Sequence, residues 1–476
     1  MTKISLIHMI ILIFMAAFPP FSAANDQDHP LGPVAQLTPM AFPDRSQNPE
    51  ATQGQVRVEI RQKGAAFQIF REGEPYFIKG IGGRHYLETA AAAGANSIRT
   101  WDPRDAGMLL DRAKDLEMTV MVGVWLSHYA TDYTDPCYRE RKIDEVRNLV
   151  ENYKHHPALL MWSLGNEINL EGGDTNEAWL FLDELARLIK ELDPNHPVIS
   201  VIAYNKSTLD TISVLAPHLD AVGINAYAAV DSLRDMIDGS FYEGPYIITE
   251  WGVDGHWEAL QTSWGRPIEA TSALKEEWHL MRYNRNIQAN SDRCIGSYVF
   301  LWGQKQERTS TWYSMFQKDI LGTDTGAVSF PAVDAMHYNW TGTWPHNRAP
   351  QVWDMLINEV SAENNIILSP NEPIVSKVKA GDPDNDELTY IWELLEEPVD
   401  LGIGGSYEAR PRTLVSVKGT QRAMLNLRAP GIAGQYRLFV YVLDNNGHAG
   451  TANIPFQVGS SQDYKMMADL HAQGIN

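Results

Sequence analysis

Hydrophobic and polar positions fall into two patterns that meet near residue 343. Between residues 77 and 302, short apolar runs rich in β-branched residues alternate with stretches in which apolar residues recur at spacings of three and four. The runs predict buried strands and the stretches predict amphipathic helices. The eight predicted strands are residues 77–82, 96–101, 118–126, 158–164, 197–202, 219–225, 245–250 and 295–302.

Repeated alternation of strand and helix is typical of an α/β fold. Eight such units over this length match a (β/α)8 TIM barrel. The helix after the last strand has the weakest pattern, and residues 330–340 are the candidate for it. A doubly wound open sheet is the alternative, but no G-x-G-x-x-G follows the first strand, so a dinucleotide fold has little support.

The segments on either side of the barrel have their own patterns. Residues 56–81 alternate as a hairpin that leads into the first barrel strand. Residues 350–459 contain alternating runs separated by turn residues such as DPDND, which predicts a small all-β domain, an immunoglobulin-like sandwich. The predicted order is a signal peptide (1–24), a flexible leader (25–55), the barrel with its hairpin (56–342), the sandwich (350–459) and a tail (460–476).

The amino terminus and the charge bear on location and partners. Lys3, an apolar run over residues 4–18 and the small residues 22–24 form a signal-peptide pattern, so we expect a secreted or periplasmic protein with no membrane span after cleavage. An uncleaved anchor is the alternative. The formal net charge of −21 argues against nucleic acid and anionic membranes as partners and fits a neutral ligand.

Two carboxylates stand at the ends of predicted barrel strands. Glu167 follows the fourth strand in LLMWSLGNE, and Glu250 ends the seventh in YIITE. Function in such barrels gathers at the carboxyl ends of the strands, so we expect both acids in one cleft. A pair of acids is what glycoside hydrolysis requires, whereas either Glu alone could be a loop or capping residue.

The sequence around these acids resembles a known enzyme family. WSLGNE and IITEWG are similar to the acid/base and nucleophile motifs of clan A glycoside hydrolases, above all the catalytic barrel of glycoside hydrolase family 2. GANSIRTW resembles the second strand of that barrel, and IRTW and GVWL also resemble β-glucan endo-hydrolases and transglycosylases of the same clan. The resemblance covers residues 57–340. The two β-sandwich domains that precede the family 2 barrel are not seen here, so exo-type β-galactosidase or β-glucuronidase specificity is not expected.

The resemblance implies roles for individual residues. Glu167 would be the general acid/base and Glu250 the nucleophile of a retaining mechanism, with Arg99 and Tyr227 contacting the nucleophile. Chemistry adds that Glu167 must start protonated while Glu250 stays ionised. Asn166 could bond the sugar 2-hydroxyl, a contact that strengthens in the transition state, or it could cap its strand.

Aromatic and histidine side chains near strand ends are the remaining candidates for substrate binding. An aromatic plane can cover the apolar face of a sugar. The resemblance implies this role for Trp302, and Trp251 could share it, with core packing as the alternative for each. Trp101 and Trp125 fall at similar positions. His85 and His128 follow the first and third strands and could bond sugar hydroxyls.

The sequence indicates neither a disulfide nor a resident metal. Cys137 and Cys294 are predicted on opposite ends of the barrel, too far apart to bridge. No H-x-x-H or cysteine cluster suggests zinc, and the alternating aspartates of DPDND are more typical of a solvated turn than of a calcium loop. No cofactor is expected.

Together these patterns predict an exported retaining glycosidase that acts on a neutral β-linked glycan. A β-glucan transglycosylase using the same two glutamates is the first alternative. A non-catalytic glycan-binding protein is the second, and the presence of both glutamates disfavours it. The sugar, the linkage and the choice between exo and endo action lie in loops that sequence alone does not resolve.

Overall fold

Eight parallel strands close into a barrel in the computed structural model, which describes residues 56–318, 326–402, 404 and 406–459. All of these residues belong to the second of two units, residues 40–476, and the first unit lies outside the described residues. The predicted signal peptide, leader and tail also lie outside them. No helix of the described chain has both the length and the apolar character needed to cross a bilayer.

The barrel is preceded by a small antiparallel sheet. Its strands are β1 (Val58–Lys63), β2 (Ala66–Arg71) and β3 (Glu74–Tyr76). The barrel strands are β4 (Ile78–Gly82), β5 (Ser97–Arg99), β6 (Thr119–Val124), β7 (Leu159–Leu164), β8 (Val198–Ala203), β9 (Ala221–Asn225), β10 (Tyr246–Trp251) and β11 (Cys294–Val299). They pair in chain order, and β11 returns to β4 with Gly296 opposite Ile78. The prediction of a TIM barrel is confirmed.

Helices cover the outside of the barrel and explain why its strands are apolar on both faces. They are α1 (Leu87–Ala92), α2 (Ala106–Asp115), α3 (Ala130–Thr134), α4 (Pro136–Tyr153), α5 (Asn176–Leu192), α6 (Lys206–Leu215), α7 (Leu233–Asp238), α8 (Ser272–Arg282) and α9 (Pro331–Thr341). Helix α9 lies where the weakest helical pattern predicted it.

Local chemistry sets the helix ends. The side chains of Asp135, Thr175 and Asn205 each accept a hydrogen bond from a backbone N–H in the first turn of the helix that follows, which satisfies an otherwise unpaired donor. Helix α9 begins with Pro331. It ends at Thr341, and the next residue, Gly342, has a φ of 79° in the left-handed region that glycine favours after a helix.

A strand-rich region follows the barrel. A short antiparallel pair, β12 (Phe316–Gln317) with β13 (Val328–Ser329), precedes this region. The strands of the region itself are β14 (Gln351–Ile357), β15 (Ile367–Leu368), β16 (Pro373–Gly381), β17 (Thr389–Glu396), β18 (Thr413–Thr420), β19 (Met424–Arg428), β20 (Gly434–Leu443) and β21 (Ala449–Val458). They form sheets in the orders β14-β16-β19 and β15-β21-β20-β17-β18, which share one apolar core.

The larger sheet also packs on the barrel, and strand β20 shows how. Leu438, Val440 and other residues of one parity face the core between the two sheets. Phe439 and Tyr441, of the other parity, pack with Phe330 beside helix α9. Because alternate side chains of a strand point to opposite faces, burial on both sides explains the continuous apolar run of β20.

The two cysteines lie far apart in the fold. Cys137 is exposed in helix α4, Cys294 is buried in strand β11, and both are free thiols. The prediction of two free cysteines is confirmed.

Candidate active site

The carboxyl ends of the barrel strands bring both predicted glutamates to the same place. Glu250 lies in β10 and pairs in register with Asn225, the last residue of β9. Arg99 ends β5, on the other side of the barrel mouth. Glu167 follows β7 after the turn at Gly165. Side chains from β5, β7, β9 and β10 therefore meet in one cluster, as the barrel rule predicts.

Glu250 is held by three donors. Arg99 Nη1 and Trp101 Nε1 both donate to its Oε1, and the Tyr227 hydroxyl donates to its Oε2, each at 2.8 Å. Glu250 is only 6% exposed, so the charge would be costly without these partners. Three donors therefore satisfy the oxygens of this buried carboxyl group.

A chain of polar contacts links Glu250 to Glu167. Arg99 Nη2 donates to Asn166 Oδ1 at 2.5 Å, and Asn225 Nδ2 donates to the same oxygen at 3.2 Å. Asn225 Nδ2 also donates to Glu167 Oε1 at 2.9 Å, while its own Oδ1 accepts from Thr249. The two glutamates therefore share one hydrogen-bond network, in which Asn225 fixes the position of Glu167.

Glu167 has the opposite environment to Glu250. Burial first, and the charge of Glu250 second, raise the pKa of Glu167 to about 7, against the lowering effects of Asn225 and Arg99. Its φ of 51° lies in the left-handed region, which is uncommon for a residue with a β-carbon. Unusual backbone of this kind clusters at functional sites. A carboxyl group with this pKa can hold a proton near neutral pH.

The two histidines have different surroundings. The Nε2 atom of His128 lies 2.8 Å from the Asn166 carbonyl oxygen, and its Nδ1 lies 3.8 Å from Glu171. His128 therefore supports the turn that carries Glu167. His85 is exposed in the loop after β4, and its ring lies 6.3 Å from that of Tyr86.

The structure contradicts the expectation that Trp251 and Trp302 offer a face to a sugar, because both are 0% exposed. Trp251 follows Glu250 directly, so the alternation of the strand turns it outward, where it stacks on Tyr283. Trp302 lies beyond the end of β11. It packs against Phe316 and Trp340 and donates to the Tyr86 carbonyl oxygen at 3.1 Å.

Several residues near the pair were not assigned from the sequence. Trp257 is 59% exposed and meets Tyr227 edge to face at 5.5 Å. Phe300 packs edge to face on Trp101 and Tyr227. Trp101 itself is a hydrogen-bond donor to Glu250 and not a free platform. Glu307 is buried in the loop after β11, and its charge contributes to the raised pKa of Glu167.

The donor set around the pair does not resemble a metal centre. Among the residues that the structure describes, no group of three or more His, Cys, Asp or Glu side chains is placed to hold a metal ion. The two glutamates face amide, guanidinium, indole and phenol donors instead. This arrangement suits proton transfer and nucleophilic attack by carboxylates.

Comparisons with known proteins agree with this geometry. Residues 109–293 match the family model described as glycosyl hydrolases family 2, TIM barrel domain. The chain is 26% identical over 292 residues to a β-glucuronidase of Paenibacillus borealis, which is 52% of this chain and 46% of that protein. It is 26% identical over 251 residues to a β-glucuronidase of Streptococcus agalactiae, which is 46% of this chain and 41% of that protein.

A solved structure, a β-glucuronidase of Bacteroides uniformis, aligns over 84% of this chain and 48% of its own, with 17% identity and a TM-score of 0.45. The aligned part of this chain spans less than half the length of each of these relatives. The closed barrel, its paired carboxylates and the match over residues 109–293 make this part of the chain similar to the TIM barrel domain of the family 2 glycosyl hydrolases.

Proposed function

We propose that the protein is a retaining β-glycosidase in which Glu250 is the nucleophile and Glu167 the general acid/base. One observation carries the proposal: buried Glu250 and partly buried Glu167 share one network, but Glu250 has three donors and Glu167 has a pKa of about 7. A glycosidase needs this division between an ionised and a protonated carboxyl group at the same pH.

The reaction follows from these states. The Glu250 carboxylate attacks the anomeric carbon while the bond to the leaving oxygen breaks, and Glu167 gives its proton to that oxygen. Glu167, now ionised, then takes a proton from water, and that water attacks the anomeric carbon and releases Glu250. The anomeric configuration is retained after two inversions. Asn166, which accepts from Arg99 and Asn225, lies beside the pair where it can bond the neighbouring sugar hydroxyl.

A neutral sugar fits the surrounding charges better than a uronic acid. The named relatives are β-glucuronidases, whose substrate carries a carboxylate. In the described part of the loop after β11, Lys305 is paired with Glu307 at 2.5 Å and Arg308 with Glu408 at 3.3 Å. These cations are already neutralised, and the net charge of −21 would repel an anionic polymer.

Hydrolysis of nitrophenyl β-glycosides by the full chain tests the proposal. The panel contains glucoside, galactoside, mannoside, xyloside and glucuronide. We expect turnover of a neutral glycoside, loss of turnover in Glu250→Gln, and wild-type turnover in Glu177→Gln, an exposed residue at the start of α5. NMR identifies the first anomer released from these β-glycosides, and the β-anomer indicates retention. An active Glu250→Gln variant would contradict the assignment, and glucuronide as the preferred substrate would contradict the neutral sugar.

Transglycosylation is a second candidate, favoured by the exposed indole of Trp257 next to Tyr227. An aromatic ring there offers a platform for an acceptor sugar. Mass spectrometry of products formed from a β-glucan oligosaccharide separates the two. Products longer than the starting oligosaccharide indicate transfer, and only shorter ones indicate hydrolysis.

The proposal includes export, which the apolar run at residues 4–18 supports. Cleavage after the small residues 22–24 would release the enzyme from the membrane. The amino-terminal sequence of protein recovered from the periplasm or the medium tests this.

A further inference from the structure

A second cavity lies between the barrel and the strand-rich region. The loop after β10, helix α8 and strand β14 line it, and its volume is about 720 Å³. Ligand pockets are commonly about 300–1,000 Å³ and occur preferentially where two parts of a protein meet. It does not include Glu167 or Glu250 among its walls.

Each of these three elements contributes a large apolar side chain to the cavity. Trp353 of β14 is 50% exposed, and the tip of its indole lies over Gly381, where a β-carbon would stand only 2.9 Å away. The glycine therefore lets the ring pack on the neighbouring strand while half of its surface stays open. Trp278 lies on α8, and Leu260, 69% exposed, lies on the loop after β10. Such surfaces can cover the apolar face of a sugar.

The polar part of the lining is acidic. Glu277, Asp354 and Glu363 are exposed carboxylates around the cavity. Of the residues described in its lining, Lys275 alone carries a positive charge, and its ammonium is bonded to Glu269 and to two carbonyl oxygens. Carboxylates accept hydrogen bonds from hydroxyl groups and repel anions. The lining therefore fits a neutral ligand rich in hydroxyl groups and disfavours an acidic one.

The position of the cavity connects it to the two glutamates. Residues 252–260 follow the end of β10, two positions after Glu250, and Val253 and Leu260 of this segment line the cavity. Trp257 of the same segment contacts Tyr227, which donates to Glu250. One loop therefore borders both the catalytic cluster and the second cavity.

We propose that this cavity is a secondary glycan-binding site that holds a distal segment of the neutral β-glycan on which the barrel acts. The inference rests on the proposed function for the identity of the polymer. The site would raise the affinity for long chains and leave the turnover of short glycosides unchanged, because it does not touch the reacting bond.

Affinity gel electrophoresis of the full chain tests the site with soluble β-glucan, glucomannan and galactan as probes. All variants carry Glu250→Gln so that the polymer stays intact. We expect one of these polymers to retard the parent, with the apparent Kd raised about fivefold to tenfold by Trp353→Ala, the loss of one aromatic platform. Phe241→Ala is the matched control, because Phe241 is 62% exposed beyond α7 and does not line the cavity.

A second variant protects the test against a folding defect. Leu260→Ser changes the opposite wall at a mostly exposed position, and we expect it to weaken retardation as well. Equal retardation of the parent and both cavity variants would overturn the inference, as would no retardation by any of the three polymers. Nitrophenyl glycoside turnover of Trp353→Ala with Glu250 intact is measured separately, so failure of the catalytic proposal is seen independently of glycan binding.

Discussion

The carboxyl end of the barrel and its interface with the strand-rich region both hold acidic side chains away from water, but Glu167 in the cleft and Glu269 at the interface shift in opposite directions. At the interface, Glu269 accepts hydrogen bonds from Lys275, Thr309 and Asn453 at 2.5–2.6 Å. Although burial opposes its charge, Lys275 and these donors hold the pKa of Glu269 below its ordinary value. In the cleft, Glu167 accepts a hydrogen bond from the Asn225 amide, but burial and the charge of Glu250 raise its pKa to about 7.

A third glutamate shows that the donors decide the outcome rather than burial. Glu276 also lies at the interface, and Arg348 Nη2 donates to its Oε1 at 3.1 Å. Burial raises its pKa to about 7 in spite of that guanidinium. Glu269, with three close donors, goes the other way. A buried carboxylate is thus stabilised as an anion where several donors converge and remains able to take a proton where they do not.

The largest effect should come from removing the proposed general acid, Glu167. Glu167→Gln keeps the shape but cannot give a proton, and general acid catalysis contributes about 10²–10⁴-fold. We expect kcat/KM to fall by about this factor for glycosides with alkyl leaving groups and much less for a dinitrophenyl glycoside, whose leaving group needs no proton. Equal losses on both substrates would remove the contrast between Glu167 and a structural carboxylate such as Glu269.

Breaking the buried ion pair at the interface should lower the free energy of unfolding. Lys275→Met leaves Glu269 buried without its cation, and breaking a buried pair from one side costs about 3–5 kcal/mol. Urea unfolding measures this loss. Lys206→Met is the control, because Lys206 is half-exposed in an ion pair with Asp210 and such pairs contribute under about 1 kcal/mol. If the two variants lose equal stability, the buried network does not hold the strand-rich region on the barrel.

Within the barrel, the strands and the meeting of the two glutamates could be predicted from the sequence. The strands are short apolar runs whose carboxyl ends must meet, so Glu167, Glu250 and Arg99 could be placed together. The faces of the strands were harder to predict, since a position near a strand end does not say which way a side chain points. Trp251 is the clearest case: it follows Glu250 and therefore points away from the cleft.

Contacts between the barrel and the strand-rich region had no signal in the sequence. Glu307 lies in the loop after β11, which is fixed from outside the barrel: Glu408 accepts from the backbone N–H of Arg308 at 2.9 Å and from Gln306 at 3.1 Å. Such a contact joins residues about a hundred positions apart without periodicity or motif. The placement of Glu307 beside the cleft, like the cavity at Trp353, follows from docking of the two parts.

The smallest expected effect tests whether that docking tunes the catalytic acid. Although burial opposes its charge, His256 and Lys305 hold the pKa of Glu307 below its ordinary value, so it is an anion near neutral pH. Its charge is the last of the causes that raise the pKa of Glu167. Because the proposed mechanism needs protonated Glu167, kcat/KM should fall as pH rises through about 7.

Glu307→Gln removes one negative neighbour, which makes ionised Glu167 easier to form and lowers its pKa. We expect the basic limb of the pH profile of kcat/KM to move to lower pH by less than about one unit, since burial and Glu250 still raise the pKa. Glu177→Gln, at an exposed position on α5, should leave the limb in place. A basic limb that stays fixed or moves to higher pH in Glu307→Gln would show that Glu307 acts through the shape of its loop and not through its charge.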